Sequence, residues 1–281
     1  MQSMRGCSPF SSFSLPSDDI ASSSRRSSAG TMVWSVAPGS QPASHAIAAP
    51  IPLVIRAEIE PCDRGIHLMI PRWGVEYELA ANPQERRSFE RPAGVILDQL
   101  GLSGRAMRIE VYPEVPRGMG LGGSAAMAVA IVRALNLHFG LGLADEEINA
   151  LAFESEKVAH GNPSGMDNTL SCYGRPLVYR PGMPPLMEPL NIRAPIPAVI
   201  GMSTQEGLTA KTVGRVRAAW QQDPKLYERI FDQVDALVLR GVQAIQDGDT
   251  ATLGELMNIC HGMLNALQVS TPELERLVSI A

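Results

Sequence analysis

Apolar and polar positions alternate along most of the first half of the chain, and this period-two pattern predicts β-strands. The clearest alternation covers residues 107–112, where three apolar residues are separated by charged ones. A longer run over residues 46–60 has the same pattern, and Pro50 and Pro52 near its start indicate an edge or a bulge. Shorter strands are predicted at residues 65–70, 75–79, 176–180 and 197–201.

Elsewhere, apolar residues recur at spacings of three and four, which is the pattern of a helix with one buried face. In the two longest C-terminal helices we expect this buried face to include Leu226 and Met257. Predicted helices cover residues 91–102, 125–137 and 144–160, a further helix passes through Trp220, and others begin at Asp223, Asp249 and Thr271. A strand-rich first half followed by a helical second half predicts the α+β class.

Composition narrows the range of functions. The chain has 281 residues and a net charge of −5, and its basic residues do not cluster, which argues against nucleic-acid binding. We find no apolar run long enough to cross a membrane. The four cysteines lie far apart, which favours reduced thiols and a cytoplasmic chain. Residues 1–30 are rich in serine and poor in large apolar residues, so we expect either a disordered tail or sequence that does not belong to the fold.

A glycine-rich loop, PRGMGLGGSAA, separates the strand at 107–112 from the helix at 125–137. Glycines allow the backbone to approach a ligand closely, and the N–H groups of the following helix attract anions. Ser124 in the first helical turn is placed to reach a metal ion or a phosphate. The alternative is a simple turn in which Ser124 only caps the helix.

A second stretch with chemical potential runs from His160 to Gly174 and reads HGNPSGMDNTLSCYG. Its glycines, proline and asparagines predict an irregular loop. Asp167 within it either caps the following segment or acts as a catalytic carboxylate. Just before the loop, Glu156 lies at the edge of a buried helical stripe, where a carboxylate needs a partner.

These two stretches resemble motifs of the GHMP small-molecule kinases. The glycine loop is similar to the family pattern PxxxGLGSSAA and departs from it at Gly123, where the family usually has serine. HGNPSGMDN closely resembles the HGxPSGxDN of the mevalonate kinase branch. The resemblance extends from about His45 to the C-terminus. It implies a two-lobed fold, with an ATP-binding lobe at residues 31–180 and a second lobe at residues 181–281.

The resemblance also implies a reaction, in which the γ-phosphoryl group of ATP passes to the 5-hydroxyl of mevalonate with Mg²⁺ as cofactor. Asp167 would be the catalytic base, and Ser124 and Glu156 would hold the magnesium ion. The residues implied to bind the triphosphate are Gly118, Gly120, Leu121, Gly122, Gly123, Ser124 and Ala125. Those implied to contact the substrate are His160, Ser164, Ser203 and Thr209.

The sequence departs from the family pattern in three ways. Ser40 follows Ala37-Pro38-Gly39 where the family has lysine, no GEH segment follows, and the third, glycine-rich motif is not found before Ala281. We therefore expect a C-terminal lobe that is truncated relative to the family. Two alternatives stay open: a kinase for another small alcohol, or a catalytically inactive relative that keeps the fold. A homodimer is a further open expectation.

Overall fold

A single mixed β-sheet forms the centre of the fold. The computed structural model describes residues 28–34, 44–182, 184–203 and 209–280, with the backbone alone for residues 28–34 and 209–211. Within these residues the sheet order is β4-β3-β5-β2-β6-β7, and β1 pairs with β2. The strands are β1 (Ser28–Trp34), β2 (Ala46–Pro61), β3 (Ile66–Ile70), β4 (Val75–Glu78), β5 (Met107–Pro113), β6 (Leu177–Arg180) and β7 (Leu186–Pro189).

Strand β2 organises the sheet, because it pairs with β1, β5 and β6, each time antiparallel. Its register against β1 jumps where Gly30 pairs with Ile51 and Ala29 pairs with Val54. Pro52 lies inside this irregularity, where a residue without an N–H group is tolerated. The bulge predicted from the two prolines is therefore confirmed.

Eight α-helices surround the sheet in the described part of the chain. They are α1 (Glu90–Gln99), α2 (Gly123–Phe139), α3 (Asp145–His160), α4 (Met166–Tyr173), α5 (Thr209–Gln222), α6 (Pro224–Asp247), α7 (Thr250–Ala266) and α8 (Pro272–Ile280). Helix α2 is the central one, with every residue from Ala125 to Val132 buried. A helix buried on all sides is held by packing, here against β2, α3 and α4.

The C-terminal helices pack onto the sheet through a second core. Ile47 of β2 and Val178 of β6 are clustered with Val234 and Val238 of α6 and with Leu256 of α7. Beside this core, the backbone N–H of His45 donates to Asp235 Oδ1 at 2.5 Å, and the His45 ring Nδ1 lies 3.0 Å from the same oxygen. The helical part is thus joined to the sheet both by apolar packing and by a polar clamp.

The structure confirms the α+β class and most of the predicted elements, but it corrects several details. Residues 166–173 form helix α4 rather than continuing an irregular loop, since Gly165 begins the helix and its apolar face is buried. Residues 197–201 form no strand, only an isolated bridge at Ala198, whereas the unpredicted β7 extends the sheet. Leu226 and Met257 are about half exposed and do not join the buried faces of their helices.

Some predictions fall on parts of the chain that the structure leaves undescribed. Residues 1–27 of the predicted tail, Ala37-Pro38-Gly39 and Ser40 lie outside the described residues. Strand β1 begins at Ser28, so residues 28–30 belong to the sheet and not to the tail. The lobe boundary at residue 180 stays a prediction, and it falls between the paired strands β6 and β7. None of the helices described here is long and apolar enough to cross a membrane, and Cys62, Cys172 and Cys260 are not joined in disulfide bonds.

Candidate active site

The glycine loop joins β5 to the start of α2, as the sequence predicts. Gly118 and Gly120 both have φ of 71° and Gly122 has φ of 63°, a left-handed conformation that favours glycine. Gly122 is the N-cap residue of α2 and no side chain caps this helix end. The loop and the first turn of α2 therefore present backbone N–H groups at the positive end of a helix, which is an anion site.

Ser124 is the second residue of α2 and does not cap it, so the interpretation as a simple capping serine is wrong. Its Oγ lies 2.9 Å from His160 Nε2, and its hydroxyl is also hydrogen-bonded to the Glu156 carboxylate. Ala125, one residue further, is fully buried and does not line the cleft. The helical turn directs its methyl group into the core, so only its backbone belongs to the anion site.

Glu156 and His160 lie one turn apart on α3, and both face Ser124. Glu156 is only 4% exposed, and burial raises its pKa to about 7, although the Ser124 hydroxyl partly offsets this effect. His160 Nε2 lies 3.7 Å from Glu156 Oε2. The buried Glu156 carboxylate therefore has the Ser124 hydroxyl and the His160 imidazole as its partners. His160 thus contacts both of the predicted metal ligands.

Asp167 is the second residue of α4 and lies half-buried in the same cleft. The N-cap position belongs to Gly165, with φ of 83°, so Asp167 does not cap the helix. Burial raises the pKa of Asp167 to about 6. The Glu156 charge adds to this increase and His160 opposes it. The neighbouring Asn168 is buried and its Nδ2 donates to Asn149 Oδ1 at 2.6 Å, which fixes the helix that carries the carboxylate.

Ser124 and Glu156 can supply some, but not all, of the ligands that a magnesium ion needs. Both offer oxygen, the ligand type that Mg²⁺ prefers, and the carboxylate is buried with a raised pKa, which favours a cation beside it. Across the described residues, no group of three or more His, Cys, Asp or Glu side chains is arranged to hold a metal. Because Mg²⁺ commonly takes one or two protein ligands together with substrate phosphates, the pair fits a metal that arrives with a nucleotide.

These groups line one cleft of about 850 Å³. One wall is aromatic: the rings of Trp73 and Phe89 are 5.8 Å apart, and the Arg117 guanidinium lies 5.2 Å from the centre of the Phe89 ring. Another wall is α5, which contributes Val213, Gly214 and Arg217. Trp73, Phe89 and Arg217 also line the cleft and were not predicted from the sequence. For Arg217 the only indication in the sequence was its helical spacing from Val213. Trp73 and Phe89 lie in turns that are distant along the chain from the two motifs, so nothing local indicated them.

Most of the predicted site residues do meet in this cleft. Gly118 to Ser124, Glu156, His160, Ser164 and Asp167 all line it. Ser164 also shapes the entry to α4, since its carbonyl accepts from the Tyr179 hydroxyl at 2.8 Å. Ser203 is described but is not among the lining residues. Thr209 begins α5, and its side chain lies outside the described residues.

Known proteins similar to this chain are kinases. Residues 88–175 match the family described as GHMP kinases N terminal domain. The chain is 38% identical over 178 residues to a mevalonate kinase of Pyrococcus horikoshii, across 62% of this chain and 52% of that protein. It is 32% identical over 219 residues to a mevalonate kinase of Methanothermobacter thermautotrophicus, across 75% of this chain and 68% of that protein.

Similarity in structure agrees with similarity in sequence. The crystal structure of L. major mevalonate kinase in complex with R-mevalonate superposes with a TM-score of 0.70 at 27% identity, and covers 92% of this chain and 80% of that one. The chain spans about half the length of the first curated relatives that it matches. The chain therefore belongs to the GHMP kinase family, among whose members its curated relatives are mevalonate kinases.

Proposed function

We propose that this protein transfers the γ-phosphoryl group of ATP to the 5-hydroxyl of mevalonate. The observation that carries the proposal is the position of Asp167, a carboxylate with a raised pKa in the same cleft as the anion site of the glycine loop. The names of the relatives support mevalonate as the acceptor.

The two ends of a nucleotide match two features of the cleft. The Trp73 and Phe89 rings offer flat apolar surface on which an adenine base can stack. The loop at Gly118–Ser124 offers N–H groups and a helix dipole for the phosphates. Such fixed donors stabilise charge on the phosphoryl group without reorganising during the reaction, and this is the main contribution that a protein makes to phosphoryl transfer.

Ser124 and Glu156 would hold the magnesium ion in this proposal. The bound ion would neutralise part of the negative charge on the β- and γ-phosphates. In the protein as described, the Ser124 hydroxyl and the His160 ring occupy the space around the Glu156 carboxylate. We infer that both groups rearrange locally when the metal–nucleotide complex binds, while Glu156 keeps its place on α3.

Asp167 would orient the acceptor hydroxyl and accept its proton. With a pKa of about 6 the carboxyl is ionised at neutral pH, yet its pKa is close enough to neutrality for effective proton acceptance. The first turn of α4 is held by the Asn168–Asn149 hydrogen bond. Asp167 can therefore be positioned before the substrate binds, which is where most of the catalytic benefit of a base arises.

The experiment that tests this proposal is an acceptor panel measured by ATP-dependent ADP release. We expect mevalonate to stimulate turnover strongly, and neutral acceptors such as galactose to leave it near the background rate. Preference for a different alcohol would support another small-molecule kinase of the family. Failure of every acceptor, in a folded protein that binds ATP, would support the catalytically inactive alternative.

A further inference from the structure

Tyr179 is a buried residue of the sheet whose side chain reaches the turn in front of α4. It lies on β6, is only 3% exposed, and belongs to a small apolar cluster with Met166 and Leu170 of α4. Its neighbour Val178 belongs to the second core with the C-terminal helices, because successive side chains of a strand point to opposite faces. The ring of Tyr179 is therefore directed to the helix that carries Asp167, and packing on both faces of β6 holds it there.

The Tyr179 hydroxyl binds the backbone of this turn. It donates to the Ser164 carbonyl at 2.8 Å, and an enclosed tyrosine hydroxyl needs such a partner. The carbonyl lies one residue before Gly165, the N-cap residue of α4, so it precedes the hydrogen bonds of the helix itself. Burial raises the pKa of Tyr179 to about 12, so the hydroxyl keeps its proton and stays a donor at neutral pH.

Two further hydrogen bonds of the turn are local. Thr169 Oγ1 donates to the Gly165 carbonyl at 2.7 Å, and the Met166 N–H donates to Ser164 Oγ at 3.3 Å. These two bonds set the shape of the turn itself. The bond from Tyr179 differs from them because it joins the turn to the sheet, and it therefore sets where the turn lies relative to β6.

Little space surrounds this contact. A Cβ added at Gly165 would lie 2.8 Å from the Tyr179 hydroxyl oxygen and 3.3 Å from Phe153 Cε2. The turn therefore cannot approach β6 more closely, and the hydrogen bond to the Ser164 carbonyl opposes movement away from it. Asp167 follows Gly165 by two residues, so its position is restrained from both directions.

We propose that Tyr179 is a positioning residue for the reaction, whose hydroxyl holds the turn that places Asp167 against the acceptor hydroxyl. The inference rests on the proposed function and adds to it a residue that does not line the cleft. A catalytic base must lie within hydrogen-bond reach of the proton that it accepts. A displacement of about 1 Å can cost about 10²-fold in rate, even when its cause lies far from the reacting atoms.

The test is a double-mutant cycle of Tyr179→Phe and Asp167→Asn, measured as ADP release at saturating ATP and mevalonate. Phenylalanine keeps the packing of the ring and removes only the hydroxyl, so we expect the variant to fold. Tyr179→Phe should lower kcat by about 10- to 100-fold and leave the KM for ATP nearly unchanged. In the Asp167→Asn protein the same change should lower the residual rate by less than about twofold, because the carboxylate that Tyr179 positions is already absent.

Tyr173→Phe is the matched control, since Tyr173 is the last residue of α4 and does not line the cleft. It should keep the kcat of the unmodified protein. Each rate is divided by the folded fraction, measured by circular dichroism in the assay buffer, so that a loss of stability alone does not count as a loss of catalysis. The proposal is overturned if Tyr179→Phe keeps the unmodified kcat, if it lowers the rate by the same factor with aspartate and with asparagine at position 167, or if Tyr173→Phe has an equal effect.

Hydrogen exchange separates this inference from the proposed function, because it requires no turnover. In Tyr179→Phe the amides of residues 164–169 should exchange faster than in the unmodified protein, and in Tyr173→Phe they should not change. Faster exchange in Tyr179→Phe, with no phosphorylation of any acceptor by the unmodified protein, would support the hold of Tyr179 on this turn and contradict the proposed reaction. Phosphorylation of mevalonate at equal rates by the unmodified protein and Tyr179→Phe would contradict the Tyr179 inference alone. Unchanged exchange together with no phosphorylation would contradict both.

Discussion

At the scale of single residues, Asp167 is an acid that the fold holds in an unfavourable environment. Its pKa is raised from an ordinary 3.8 to about 6, chiefly by burial. The folded protein therefore binds this proton more tightly than the unfolded chain does. The contribution of this proton to stability is complete below pH 4 and is lost as the pH rises through about 6.

We therefore expect Asp167→Asn to be more stable than the unmodified protein at pH 7.5 in the absence of magnesium. The pKa shift from 3.8 to about 6 corresponds to about 3 kcal/mol, and the variant avoids this loss because asparagine cannot ionise in the cleft. Urea unfolding in a chelating buffer at pH 5.0 and pH 7.5 measures the effect, and the difference between the two proteins should be smaller at pH 5.0. If Asp167→Asn is less stable than the unmodified protein by the same amount at both pH values, burial does not raise the pKa of Asp167 as described here.

A second prediction at the residue scale concerns the magnesium dependence of Ser124 and Glu156 variants. If both hold magnesium, Ser124→Ala and Glu156→Gln should each raise the Mg²⁺ concentration for half-maximal turnover by about tenfold, the effect of losing one oxygen ligand of modest strength. Glu154→Gln is the control, because Glu154 lies on the same helix and pairs with Lys157. Magnesium titrations that coincide for all four proteins would remove both residues from the metal site.

At the scale of elements, two glycines in the site play different roles. Gly165 has φ of 83°, and a Cβ added there would lie 2.8 Å from the Tyr179 hydroxyl. Gly123 has an ordinary helical conformation, and its added Cβ would meet only Val115 Cγ1, at 3.6 Å. The backbone at position 123 therefore does not require glycine, although this chain has glycine where the family usually has serine.

This contrast predicts opposite outcomes for two substitutions. Gly165→Ala should destabilise the protein by about 2 kcal/mol or more, since a left-handed conformation and a close contact add together. Gly123→Ser should leave the unfolding free energy unchanged or raise it by up to about 1 kcal/mol, because glycine is a poor residue inside a helix. Chemical denaturation tests both. A Gly123→Ser variant as unstable as Gly165→Ala would contradict this view of the loop.

Elements with strong periodicity were predictable from the sequence, whereas elements fixed by their surroundings were not. The alternation at 107–112 and the alanine-rich run at 125–137 correspond to β5 and α2. Helix α4 was predicted as loop because the stretch from His160 to Gly174 contains glycines, a proline and asparagines, which have low helix propensity. Burial of Leu170 and its neighbours overrides that preference. Strand β7 has only four residues, mostly exposed, and forms because β6 offers it an edge.

At the scale of the whole molecule, the sequence predicted the class of the fold and the two motifs that face each other across the cleft. It did not predict the aromatic wall at Trp73 and Phe89 or the cation at Arg217. Those side chains reach the cleft only through the packing of elements that are distant along the chain. The periodicity of apolar residues along the sequence predicts which helices and strands form. The walls of a cleft depend on how those helices and strands pack in three dimensions.

The clamp between His45 and Asp235 gives a prediction for the whole molecule, since it joins the sheet to α6. Asp235→Ala leaves the partly buried N–H of His45 without its acceptor, and we expect a loss of about 1–3 kcal/mol in unfolding free energy. Asp232→Ala is the control, because Asp232 is an exposed residue of the same helix. Equal effects of both changes in urea unfolding would show that the clamp does not contribute to joining the two parts.

We propose above all that Asp167 in this cleft promotes phosphoryl transfer to an alcohol. The most direct measurement follows ATP and mevalonate by ³¹P nuclear magnetic resonance with the unmodified protein and with Asp167→Asn. We predict a new phosphomonoester signal with the unmodified protein, and a rate about 10²- to 10⁴-fold lower with the variant. Formation of the ester at equal rates by both proteins, or no ester from a folded unmodified protein that binds both ligands, would contradict the claim.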